Sequence, residues 1–346
     1  MHTGRFRSVT RMVCMVSVML LVSACSPVTY KPGPSVQQPL LSETIYHTAD
    51  GAELQLHQWM PDIDPTAVII ALHGFNDYGH FFNDAGEFLA KQGIVSYAYD
   101  QRGFGGSDRP GLWAGVDAYL NDLRTFVQLT QEKHPGLPVY LLGESMGGAV
   151  VVAAASKTDF PEVAGLILSA PAVWGRSEMP WYQRWLLAIT AHTVPQMHVT
   201  GSGLHITPSD NIEMLRALWE DPLIIKETRV DAVYGLANLM DEALQSSAKL
   251  SVPVILLYGE RDEIIPSNAV TKMLESIQSK EIVTVALYEK GYHMLLRDLE
   301  AKTVWTDIAG WIFHPEQPLP SWVDGVISSH IDDRSNPYSG SIQSSM

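Results

Sequence analysis

Cysteine is nearly absent from this 346-residue chain, and the two that occur, Cys14 and Cys25, both fall within the first 25 residues. The body that follows therefore has no disulfide framework and no thiolate nucleophile. Positive charge is also scarce: 23 Lys and Arg stand against 38 Asp and Glu, a formal net charge of −15. A surface this acidic repels phosphate backbones and argues against nucleic acid as a partner. The chain has no G-x-x-x-x-G-K-[ST] phosphate loop, and no His or Cys cluster at metal-site spacing, so no cofactor and no metal is implied. Crossing a bilayer takes roughly 20 apolar residues. The N-terminal apolar stretch, Met12 to Val22, is shorter than that.

That stretch follows Arg5, Arg7 and Arg11 and ends on small residues, the layout of an export signal over residues 1–24. Val22-Ser23-Ala24-Cys25 resembles the lipobox of bacterial lipoproteins. The resemblance implies that Cys25 is the lipidated first residue of the mature protein, a lipid anchor in the cell envelope. Ser26 after the cysteine implies sorting to the outer membrane. Removal of residues 1–24, with three arginines and no acids, would deepen the net charge to −18.

Residues 25–41 read as a linker and 42–314 as the folded body. Pro315 onward, rich in Pro and Ser, reads as an extended or flexible tail to residue 346, with Trp322, Val323, Val326 and Ile327 as its only docking candidates. In the body, Asp50-Gly51 joins two alternating strands over 43–60 as a hairpin. Short runs nearly continuous in Val, Ile, Leu and Tyr follow at 67–74, 94–100, 139–144, 164–171, 252–260 and 283–289. These suit strands covered on both faces. Amphipathic stretches such as 116–134 and 267–280 lie between them. The class is α/β, with a mainly parallel sheet and helices on both faces.

From 174 to about 247 no buried-strand run occurs, and the segments are helix-like. This reads as a helical cap inserted after the sixth strand, over the strand ends, with extra core helices as the alternative. Trp174, Trp181, Trp185 and Trp219 are its substrate-binding candidates, since apolar pockets are commonly lined this way.

Gly143-Glu144-Ser145-Met146-Gly147 sits where one of these runs turns into a segment rich in Ala and Val. A sharp strand-to-helix turn strains its apex and brings backbones together, so glycines flank a serine lifted clear of the strand. A serine that merely caps the following helix is the competing reading. Beyond this motif, "HG" at 73–74, "DQRGFGGSD" at 100–108, "GERDEIIP" at 259–266, "GYHMLLRD" at 291–298 and Asp221-Pro222-Leu223 complete a pattern. From about Ser42 to His314 the chain resembles the α/β-hydrolase superfamily, and within it the monoacylglycerol lipase and lysophospholipase group, of serine aminopeptidase S33 type. The resemblance implies the α/β-hydrolase fold and the order serine, acid, histidine. Tyr78 departs from the histidine common in that group.

Physical requirements lead to the same residues. A serine hydroxyl is weakly nucleophilic and needs a base in reach. His293 follows a strand on a short Gly-containing loop, at the same sheet edge as Ser145. The imidazole needs a carboxylate to hold its tautomer. Glu260, Asp262 and Glu263 all follow the preceding strand, and the family resemblance favours Asp262. Met146, first in the helix, and Phe75, after His73-Gly74, would supply backbone N–H groups to a developing oxyanion. His73 reads as a buttress of that loop, Asp100 and Arg102 as a structural network under the site, and Glu144 as a structural hydrogen-bonding group.

The resulting expectation is a serine hydrolase that cleaves carboxylic esters of single-chain lipids, of monoacylglycerol or lysophospholipid type, through an acyl-serine. Two alternatives stay open. One is an aminopeptidase, with Glu178, Glu213, Glu220 or Asp221 holding the substrate ammonium. The other is a non-catalytic envelope lipoprotein using the scaffold for binding.

Overall fold

The computed structural model describes residues 26–201 and 206–323. The export signal, Cys25, and the tail from residue 324, with Val326 and Ile327, lie outside the described residues.

The buried apolar runs form the central strands. These are β4 (Ala67–Leu72), β5 (Ile94–Tyr99), β6 (Val139–Glu144), β7 (Gly165–Ser169), β10 (Val254–Gly259) and β11 (Val283–Tyr288), all mutually parallel in the order β5-β4-β6-β7-β10-β11. The hairpin strands β2 (Ile45–His47) and β3 (Glu53–Trp59), joined through Gly51 at φ 85°, add antiparallel to β5. A two-residue strand, β1 (Leu40–Leu41), closes that edge. It makes the strand before the insertion the seventh.

Side chains alternate across the sheet with the period of two that a pleat imposes. Val68, Ile70 and Leu72 enter one core with α2 (Val116–Lys133), α3 (Met146–Ala155) and α6 (Val230–Ser246). Ala67, Ile69 and Ala71 enter the other with α1 (Asn83–Ala90) and α8 (Ala301–Phe313). Helix α3, MGGAVVVAAA, is apolar all round and buried all round, as such a sequence requires. Helix α7 (Ser267–Ser276) connects β10 to β11.

The insertion between β7 and β10 is not uniform. Helices α4 (Trp181–Thr193) and α5 (Ile212–Glu220) bury almost nothing. The two-residue strands β8 (His198–Val199) and β9 (Thr228–Arg229) pair beside them. Helix α6, by contrast, buries Ala232, Ala237, Leu239 and Ala243 in the main core. The cap reading therefore suits α4 and α5, and the core-helix alternative suits α6. Its small residues allow close packing, and periodicity alone could not say onto what.

Both flanking segments dock further than the sequence implied. Tyr30 N–H donates to Trp113 O and Val36 N–H to Ala49 O, so much of the linker runs along the body. At the other end Leu319 is buried and Asp307 accepts from Ser321 N–H and Oγ–H. Among the described residues no helix is long and apolar enough to cross a membrane.

Candidate active site

β4 has β5 on one side and β6 on the other, so the chain reverses its winding direction at the β4/β6 boundary. Open parallel sheets bind ligands beyond the carboxyl ends of their strands at such a point. His73-Gly74 leaves β4 there and Ser145 leaves β6.

Ser145 stands alone between β6 and α3, with φ 52° and ψ −114°, a conformation L-residues rarely adopt. The flanking glycines are required by space: a Cβ on Gly143 would lie 2.4 Å from Gly148 N, and one on Gly147 would lie 2.1 Å from Leu72 O. The Ser145 side chain makes no capping bond to α3, and its hydroxyl has no hydrogen-bond partner among the described residues. That leaves the helix-cap reading without support.

His293 and Asp262 are joined. Asp262 is a buried carboxylate and can only accept, so His293 Nδ1–H donates to its Oδ2 at 2.8 Å. The other ring nitrogen, Nε2, is left as the basic one. Oδ1 accepts from Ile264 N–H at 2.7 Å and from Ile265 N–H at 3.0 Å, which fixes the carboxylate. The rivals do not compete: Glu260 and Glu263 are exposed, and Glu263 accepts from Thr207 N–H. Burial alone would lower the His293 pKa; the charge and hydrogen bond of Asp262, then the charge of Glu144, raise it overall. Ser145 shares the strand-end edge with this pair, and no Oγ to imidazole hydrogen bond is formed. Such contacts are commonly long without substrate and tighten when it binds.

The loop after β4 lies against the serine: a Cβ on Gly74 would be 3.4 Å from Ser145 Cβ. His73 is fully buried and its pKa is lowered by burial. Gln101 N–H donates to its Nε2, so its Nδ1–H donates to Gly74 O. It holds the loop. Neither Phe75 N–H nor Met146 N–H has a hydrogen-bond partner among the described residues. The Phe75 ring packs edge-on against Phe104 as part of the wall.

Several bracing residues were not assigned from sequence. Arg297 Nη2 donates to Asp77 Oδ2 at 2.7 Å and to Glu144 Oε1 at 2.8 Å, tying the β4 loop to the serine turn from a position four residues after His293. Burial raises the Glu144 pKa against the pull of Arg297. Asp298 accepts from Tyr292 N–H and Ser209 Oγ–H and braces the histidine loop. The "RD" of "GYHMLLRD" was visible, but nothing local tells a bracing ion pair from a surface one. Asp100 and Arg102 prove to belong to two networks. Asp100 accepts from Gly79 N–H, Gly106 N–H and His57, while Arg102 pairs with Asp50 and Asp122.

The tryptophans differ from expectation. Trp174 is half-buried against the main core. Trp181, Trp185 and Trp219 are 68%, 63% and 68% exposed and do not wall a closed pocket. On α4, residues 181, 182, 185, 186 and 189 share an outward face, and helical period does not say which way an apolar stripe points.

Comparison with known proteins agrees with this geometry. Residues 63–300 match the family model described as "Serine aminopeptidase, S33". The monoacylglycerol lipase of Mycolicibacterium smegmatis is 27% identical over 278 residues, covering 78% of this chain and 96% of that protein. The monoglyceride lipase of Homo sapiens is 28% identical over 275 residues, covering 76% and 88%. Among solved structures, a soluble variant of monoglyceride lipase from Saccharomyces cerevisiae in complex with a substrate analog superposes with a TM-score of 0.66 at 20% identity. The match covers 83% of this chain and 97% of that one, and shows the shared fold. With the elbow, the buried acid–imidazole pair and the family match over most of the body in agreement, the chain belongs to the serine aminopeptidase S33 family and has the α/β-hydrolase fold.

Proposed function

We propose that the protein hydrolyses carboxylic esters of single-chain lipids, of monoacylglycerol or lysophospholipid type, through an acyl-serine. Ser145 Oγ attacks the ester carbonyl carbon as His293 Nε2 takes its proton, and the Asp262 carboxylate stabilises the imidazolium. The oxyanion is met by Phe75 N–H and Met146 N–H. His293 returns the proton to the leaving alcohol, then activates water to release the fatty acid.

The buried His293–Asp262 pair, at the same strand-end edge as a strained serine whose hydroxyl has no partner among the described residues, carries this reading. The lipid substrate follows from the relatives named monoacylglycerol and monoglyceride lipase. The aminopeptidase alternative is weakened because two of its acids are already engaged. Glu178 pairs with Lys272, and Asp221 accepts from Tyr78. A fluorophosphonate probe should label the wild type and not Ser145→Ala. Absence of labelling of the folded wild type would favour the non-catalytic binding role. Faster turnover of aminoacyl anilides than of nitrophenyl esters would favour the peptidase.

Lipidation at Cys25 and residence at the outer membrane belong to the same proposal, supported by residues 22–26. Val28 N–H lies 3.4 Å from Asp231 Oδ2 at the start of α6, so the tether meets the body beside the cap, whose outer face carries Trp181, Trp185 and Leu186. Labelled palmitate should enter the wild type and not Cys25→Ala. Equal labelling of both would exclude this anchor.

A further inference from the structure

The turn that presents Phe75 N–H is held by two different parts of the molecule. Asp77 N–H donates to Gly74 O at 3.3 Å, closing a β-turn over residues 74–77. Its third residue, Asn76, has φ 66°. A turn with φ above zero at this position calls for Gly or Asn. Gly74 C=O and Phe75 N–H belong to one peptide plane and point in opposite directions. Holding the carbonyl against His73 and Asp77 therefore aims the N–H the other way.

From the body side, Arg297 holds Asp77, and Asp100 accepts from Gly79 N–H. From the cap side, three hydrogen bonds reach Asn76 and Tyr78 of the same loop. Ile225 N–H donates to Asn76 O at 3.1 Å, and Asn76 Nδ2 donates to Thr228 Oγ1 at 2.6 Å. Tyr78 Oη–H donates to Asp221 Oδ2 at 2.7 Å. Thr228 is buried, and Leu223 N–H donates to the second oxygen of Asp221, so the cap partners are themselves fixed. Asn76 thus gives both its carbonyl and its side chain to residues 221–228, directly after the proposed oxyanion donor.

The geometry points to residues 221–228 as a positioning element for the oxyanion site: seated on Asn76 and Tyr78, they hold the 74–77 turn so that Phe75 N–H faces the serine. Thr228 and Asp221 are positioning residues, acting through Asn76 and Tyr78 and not through substrate. The inference rests on the reading above that Phe75 N–H stabilises the oxyanion. It explains what Tyr78 does here: a phenol at this place reaches the cap carboxylate.

Thr228→Val and Tyr78→Phe each remove one contact while keeping shape. With a short nitrophenyl ester, each should lower kcat by about tenfold with KM unchanged, since a full donor is worth on the order of a hundredfold or more and a misaimed one part of that. Affinity for a trifluoromethyl ketone, which forms an oxyanion on Ser145, should fall by a similar factor, while that for the corresponding neutral alcohol should not. Thr228→Ser and Asp221→Asn, which retain an acceptor, should restore kcat. If Thr228→Val fails to fold, Asn76→Gly tests the same contact, because glycine keeps the positive φ and loses only the side-chain donor. Unchanged kcat in folded Thr228→Val and Tyr78→Phe, or a rise in KM alone, would overturn the inference. A wild type that does not react with fluorophosphonate at all would instead overturn the underlying hydrolase reading.

Discussion

Asp262→Asn tests the proposed base most directly, because the surroundings of the carboxylate dictate how an amide must sit. Oδ1 accepts two backbone N–H groups, from Ile264 and Ile265, and Oδ2 accepts one ring N–H from His293. In the variant the amide oxygen stays with the two backbone donors, since the reverse would set an NH2 against both. The NH2 then faces His293 Nδ1, which must become an acceptor. The ring proton moves to Nε2, the nitrogen that should take the serine proton. An imidazole in this tautomer cannot act as base, and in serine hydrolases such a change costs about 10⁴ in kcat. At 1.36 kcal/mol per factor of ten, that is about 5.4 kcal/mol of barrier. The fold should survive, because volume is kept and every hydrogen bond has a partner.

The pH profile adds a second readout. In the wild type Asp262 raises the His293 pKa above 6.5 against the effect of burial. Activity, which needs the neutral ring, should therefore rise with pH through a midpoint above 6.5. In the variant the raising carboxylate is gone and burial dominates, so the midpoint of the residual activity should move down. The stability linkage has the matching sign: a raised folded-state pKa contributes stability that is present below pH 6.5 and lost as pH rises through the folded value. Stopped assays on a short nitrophenyl ester from pH 5 to 9, with thermal unfolding alongside, measure both. Retention of more than a tenth of wild-type kcat, or an equal loss in Glu260→Gln or Glu263→Gln, would refute the assignment.

Ser145→Gly should be inactive yet more stable by about 1 kcal/mol, because glycine accepts φ 52° without strain; unfolding in urea at unchanged slope reads this. Arg297→Met leaves Asp77 and Glu144 buried without their cation and should cost about 3–5 kcal/mol. Because the Glu144 pKa is already raised, that loss should be smaller near pH 5, where the carboxyl can protonate, than near pH 8; an equal loss at both would argue against the charge account. Trp185→Ser should leave turnover of a soluble short ester unchanged and weaken binding to phospholipid vesicles, measured by flotation. A fall in soluble-ester kcat would place that ring in the reaction instead.

The strands were readable to within a residue or two because a strand covered on both faces must be apolar along its whole length, and these runs are short, rich in Val, Ile, Leu and Tyr, and bounded by turn residues. The insertion was less readable. Helices α4 and α6 both carry apolar residues at helical spacing, but α6 faces the core through Ala232, Gly235 and Ala243, whereas α4 turns Trp181 and Trp185 to solvent. An amphipathic pattern states that a helix has two faces, and only the neighbour decides which of them is covered.

The sequence by itself favoured the elbow, since Gly143 and Gly147 around a serine between a buried strand and an apolar helix suit a sharp, crowded turn better than a plain helix cap. It also determined that the imidazole and its acid leave consecutive strands at the serine's edge. The family resemblance favoured Asp262; only the tertiary structure buried it against His293, set Arg297 between Asp77 and Glu144, and brought Thr228 and Asp221 onto the turn after β4. The physical reason is range. Backbone sterics act within a few residues and leave a mark on the local pattern. Arg297 with Asp77 and Glu144, and Asn76 and Tyr78 with Thr228 and Asp221, meet across separations of 143 to 220 residues, and no local pattern records that convergence.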